Sequence, residues 1–132
     1  MQSGKFIDHC SSELELKIHI LELLEALNFL HNSVKLVHLG INLNNIYITS
    51  DGKWKLGGFV YSQNLTNDGL SDCEAKPNEF SYVSPEVAVQ SKCAYASDTF
   101  SLINIALTLL EHIKHPSKSL TPLINASNKN EY

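Results

Sequence analysis

The chain has 132 residues, 43% of them apolar and 18% charged, with a net charge of −4. That balance excludes a disordered chain and is long enough for one domain with a sizeable core. Ten lysines and no arginine on an acidic background exclude nucleic-acid binding through a basic face, and remove the usual bidentate reader of phosphate.

Residues 1 to 10 carry little signal, with neither an apolar leader nor anywhere in the chain a run of about 20 apolar residues that would span a membrane. Cys10, Cys73 and Cys93 are odd in number and far apart, so neither a disulfide framework nor a zinc spacing is visible, and a reducing, cytoplasmic setting is expected. Ser12 followed by Glu15 reads as a capping box, after which Leu14, Ile18, Leu21, Leu24 and Leu27 recur at helical spacing to Leu30. Ile20 and Leu23 widen that stripe, so the helix is expected to pack on two sides and to end near His31 and Asn32.

The stretch VHLGINLNNIYITSDGKWKLGGFV, from Val37 to Val60, reads as a loop, a β-hairpin and a second loop. Residues 45–49 run into Ser50-Asp51-Gly52, a strong turn signal, and Lys53-Trp54-Lys55-Leu56 then alternates charged and apolar. Trp54 and Leu56 therefore share one face while Lys53 and Lys55 point to water. His38, between Val37 and Leu39, could serve as a ligand or a base but reads first as a packed structural histidine. Residues 61–81 shift to Ser, Asn and acidic residues without periodicity, as expected of a plain solvated loop. Ser84, Pro85 and Glu86 make a consistent helix start, with Ser84 as cap. A last helix opens at Ser97-Asp98, carries apolar residues on every side from Leu102 to Ile113, and is expected to be buried nearly all round until Pro116 stops it. Asp98 can cap that helix. The polar residues 117–132 read as a flexible tail, which leaves 1–116 as the domain.

The order of these pieces resembles the catalytic core of protein kinases, where an H-R-D-L-K-P-E-N loop, a hairpin and a D-F-G turn follow at this spacing. On that pattern His38 matches the His, Gly40 stands for the catalytic Asp and Asn42 for the Lys. Asn45 matches the metal-binding Asn, Gly58 stands for the metal-binding Asp, and Phe59 matches the Phe. Residues 61–81 become the counterpart of the activation segment, and Ser84-Pro85-Glu86 of A-P-E. The resemblance implies an α+β, mainly α, kinase-like C-lobe without an N-lobe. It makes His38, Phe59, Pro85, Glu86 and Asp98 structural, with Asp98 also accepting hydrogen bonds from catalytic-loop N–H groups. FLHNSVKLVH and DGKWKLGGF are most similar to the clathrin-associated branch of the SCYL family of pseudokinases.

Kinase chemistry needs a base, metal carboxylates and a cation on the transferred phosphate. With Gly40, Gly58 and Asn42 at those positions the chain is expected not to be an enzyme, and to have no catalytic residue, no metal site and no cofactor. Asn45 and Phe59 remain as vestigial nucleotide contacts. The resemblance implies a protein-binding scaffold in vesicle trafficking, with clathrin and adaptor coat components as partners, on coated vesicles, Golgi or endosomal membranes and reaching membranes only through partners. Two alternatives stand beside it: residual ATP binding or weak kinase activity once an N-lobe is supplied, and a truncated, non-functional product.

Overall fold

A computed structural model describes residues 12–65, 69–75 and 82–115. Cys10, Pro116, the boundary expected after residue 116 and the tail 117–132 lie outside the described residues. Helix α1 (Glu13–Phe29) starts where the sequence marks it, with the Ser12 hydroxyl accepting the Glu15 N–H at 3.2 Å. Its α-helical turns end at Phe29, close to the expected His31 and Asn32. A π turn (Leu30–Val34) carries the chain on until Lys35 ends it in the left-handed region, at φ 60°.

The rest is short elements around two long helices. Strand β1 (Leu36–Val37) leads into the first loop, which closes with a 3₁₀ turn (Leu43–Asn45). Strands β2 (Ile46–Ile48) and β3 (Trp54–Leu56) form the expected antiparallel hairpin, with Tyr47 opposite Lys55 and Ile48 opposite Trp54. Its turn is held by Gly52 N–H to Thr49 C=O at 2.9 Å, with Gly52 at φ 84°. Trp54 is buried and stacks on the His19 ring of α1 at 4.6 Å, while Lys53 and Lys55 face water.

The segment from residue 61 departs from the structureless loop read in the sequence. A 3₁₀ turn (Phe59–Tyr61) leads to β4 (Gln63–Asn64), which pairs with β1, and β5 (Ser71–Asp72) pairs with β6 (Lys92–Cys93). Two-residue strands have no periodicity to read, and their partners lie about 20 or more residues away in sequence. Buried Gln63 joins the two pairs by accepting the Glu74 N–H at 2.8 Å and donating to the Asp72 carbonyl at 3.0 Å.

Helix α2 (Pro85–Gln90) follows Ser84, but the cap is made by the Ser84 carbonyl, to Val87 N–H and Ala88 N–H, and not by its hydroxyl. Helix α3 (Tyr95–Lys114) begins two residues before Ser97, so Asp98 sits inside its first turn and is not its cap. The main core joins Leu16, Leu23, Leu27 and Leu30 to Trp54 and to Leu102, Ile105 and Leu109. Full burial of each such aliphatic side chain contributes about 1.5–3 kcal/mol. A smaller core gathers Val37, Leu39, Leu65, Val87 and Cys93.

Neither long helix is covered on all sides. Leu14, Ile18, Leu21 and Leu24 of α1 and Phe100, Ile103 and Leu107 of α3 are exposed, against the expected two-sided and all-round burial. The apolar pattern was legible there; the described residues simply supply no element that packs on that side. No helix among the described residues is long and apolar enough to cross a membrane.

Candidate functional site

The site is the pair of loops that flank the hairpin, and a buried carboxylate fixes the first of them. Asp98 is 1% exposed. Its Oδ2 accepts the His38 N–H at 2.7 Å and its Oδ1 the Leu39 N–H at 2.9 Å. Leu39, the second of the two residues held by this carboxylate, adopts a left-handed conformation, at φ 64°. For a leucine that costs about 1–2 kcal/mol. The two charge-assisted bonds, each worth about 1.5–3 kcal/mol, offset it.

His31, read in the sequence only as a helix end within FLHNSVKLVH, lies 2.8 Å from Asp98 Oδ2 through Nε2 and rests against the Tyr95 ring. The π turn places it there, and turns of this kind cluster at functional sites. Only the folded path of residues 30–34 brings His31 and Asp98, 67 positions apart, together.

His38 then ties the first loop to the second. Fully buried, it meets the Gly57 carbonyl with Nε2 at 2.8 Å, and its Nδ1 accepts the Gly40 N–H at 3.0 Å. An imidazole that accepts at Nδ1 and donates at Nε2 is neutral. Burial, the largest influence, pushes its pKa below the ordinary 6.5 against the opposing pull of the Gly57 carbonyl and Asp98. Its ring also touches that of Phe59 at 4.7 Å. Phe59 is 45% exposed and Val60 81%, so the second loop turns apolar surface outward.

The two glycines differ. A Cβ on Gly40 would meet Tyr61, Asn45 and the Gly58 carbonyl at 3.4–3.5 Å, an ordinary contact. Gly58 has φ +68°, and a Cβ there would lie 2.2 Å from Asn45 Oδ1. The Asn45 side-chain amide is held in that space by donating to the Gly40 carbonyl at 2.6 Å, and the Asn45 backbone carbonyl accepts the Gly57 N–H at 2.8 Å. Asn42 turns away from this cluster and accepts the Asn44 N–H at 2.8 Å, opening the 3₁₀ turn. The Asn45 amide and the His38 ring both face the two loops, and among the described residues no group of three or more His, Cys, Asp or Glu is placed to hold a metal ion.

Pro85 and Glu86 stand apart, at the start of α2. Glu86 accepts the Ser97 hydroxyl at 2.8 Å, which ties the start of α2 to the first turn of α3. Partial burial raises the Glu86 pKa, yet hydrogen bonds from its own backbone N–H and from Ser97 outweigh it and hold the group below the ordinary carboxylate value. Ser97 was read only as part of a helix opening.

The sequence model of the protein kinase domain matches residues 2–129. SCY1-like protein 2 of Homo sapiens is 36% identical over 107 residues, covering 72% of this chain and 12% of that protein. The probable serine/threonine-protein kinase mkcF of Dictyostelium discoideum is 32% identical over 110 residues, covering 83% of this chain and 16% of that protein. The mitosis inhibitor protein kinase SWE1 of Saccharomyces cerevisiae is 36% identical over 83 residues, covering 63% of this chain and 10% of that protein. The chain thus spans only about an eighth of the SCY1-like relative. Similarity at this level to proteins named as kinases overturns the expectation, drawn from positions 40, 42 and 58, that this chain is not an enzyme. Those positions show what two loops lack, and activity belongs to a whole domain. From the order of its loops to its relatives, the chain belongs to the protein kinase domain family, with SCY1-like proteins among its kin.

Proposed function

We propose that this chain is the C-lobe portion of a SCY1-like kinase domain and works as a protein-binding module in coated-vesicle traffic, with clathrin and adaptor components as partners. The observation that carries the binding role is the state of the two loops. Asp98 and His38 hold the loop frame in place, while positions 40 and 58 present backbone and the neighbouring Phe59 and Val60 present apolar surface. A rigid frame with an apolar rim suits recognition of another protein. The trafficking role rests on the resemblance of FLHNSVKLVH and DGKWKLGGF to the clathrin-associated SCYL branch. The full-length protein carrying this chain is expected to enrich clathrin-adaptor components from membrane extracts over an unrelated kinase lobe. Equal recovery by the two baits would sink the trafficking reading.

A second reading is a nucleotide-dependent kinase domain, favoured by the similarity to mkcF and SWE1. In this reading the base and the metal carboxylate come from residues other than 40 and 58, since neither has a side chain. Melting of the full-length protein with millimolar ATP, with and without magnesium, separates the readings: a magnesium-dependent rise supports the second, and no rise supports binding without nucleotide.

A further inference from the structure

The sequence separates Cys73 from Cys93 by 20 positions, and the fold puts them side by side. Strand β5 pairs with β6 so that Ser71 faces Cys93 and Asp72 faces Lys92, and the ladder continues with Cys73 N–H to the Ser91 carbonyl at 2.9 Å. Cys73 therefore lies on the same face as Ser71 and Cys93, diagonal to Cys93 and not directly opposite it, and the two thiols come within hydrogen-bonding reach of each other. Both pack into the small core with Val37, Leu39 and Val87, directly beneath the loop that Asp98 holds. Cys93 is fully buried, whereas Cys73 is partly exposed, so only one of the pair is open to a reagent in solution.

We propose that Cys73 and Cys93 are a reversible disulfide site that staples the 69–75 segment to the approach of α3. The reaction uses a small disulfide such as oxidised glutathione. The Cys73 thiolate attacks it, forming a mixed disulfide and releasing one glutathione thiolate. The Cys93 thiolate then attacks the Cys73 sulfur, and the second glutathione leaves. Two protein thiols lose two electrons and two protons, and one glutathione disulfide becomes two glutathione thiols. Burial, and then the neighbouring Cys73 thiol, push the Cys93 pKa up to about 12, so the second step is the slow one. The link would close a loop that contains α2 and Glu86, and so fix the segment beside the first loop to the helix that carries Asp98.

The test equilibrates the full chain in glutathione buffers of graded ratio, quenches with acid, alkylates and maps the peptides. A Cys73–Cys93 link with Cys10 alkylated is expected, and it should persist at a glutathione ratio at least about tenfold more reducing in buffer than in guanidinium, where loop length alone brings the thiols together. The oxidised chain is expected to melt on the order of 5–10 °C above the reduced one. Cys10→Ser keeps the link. Cys73→Ser, at the partly exposed thiol, removes it without moving the melting point of the reduced chain. Glutathione retained on Cys73 with Cys93 free, equal stability of the link in buffer and denaturant, or an oxidised chain that melts no higher would each overturn the proposal.

Discussion

The loop before the hairpin and the turn after it have each lost a carboxylate position of the kinase pattern, and they have lost it differently. At Gly40 the fold leaves ordinary room for a side chain that the sequence does not supply. At Gly58 the backbone is left-handed and the Asn45 amide fills the space a side chain would need. An absent group at the first position is a choice of residue; at the second it is built into the geometry. Aligned letters make the two substitutions look alike, and only their surroundings separate them.

The largest effect is expected where the contrast depends on a fixed first loop. Asp98→Ala leaves the His38 and Leu39 amides buried without an acceptor and Leu39 in a strained conformation. It should cost about 3–5 kcal/mol in chemical denaturation, enough to unfold a marginal chain. A loss below about 1 kcal/mol would show that other contacts hold the loop.

Gly58→Asp should cost about 2–3 kcal/mol, from the positive φ and displacement of the Asn45 amide. Gly40→Asp should change stability by less than about 1 kcal/mol, as an accommodated substitution does. Equal losses at the two positions would erase the contrast.

A pH series sharpens the link between the loops. The native pKa of His38 lies below its unfolded value near 6.5. The unfolded chain therefore binds the extra proton first, and the contribution of His38 is present above pH about 6.5 and declines as pH falls through it toward the lowered native value. His38→Gln, which keeps a donor and an acceptor, should flatten that decline in denaturation midpoints measured between pH about 7.5 and 5. An unchanged slope would assign the decline to other groups.

Much of this site was legible in the sequence, for reasons that can be named. The hairpin has a local turn signal and a two-residue alternation, so Trp54 and Leu56 could be assigned to one face. Asn45 and Gly58 could be placed by spacing against the kinase pattern, but not their mutual occupancy. That depends on the backbone angle of one and the rotamer of the other, which no spacing encodes. The pairing of His31 with Asp98 was invisible because a π turn shifts the helix register, and the bonds of Gln63 because they reach a two-residue strand and the residue just beyond it. The exposed rows of α1 and α3 show the converse limit: an apolar stripe says that a face can be buried, not that a neighbour is there.

The most direct test of the claim that Asn45 occupies the Gly58 position is a double-mutant cycle between Gly58→Asp and Asn45→Ala, read by equilibrium denaturation. Removing the amide should relieve part of the cost of Gly58→Asp, giving a coupling of about 1 kcal/mol or more. Additivity within about 0.5 kcal/mol would contradict it, and would leave the left-handed backbone as the whole reason that position 58 is glycine.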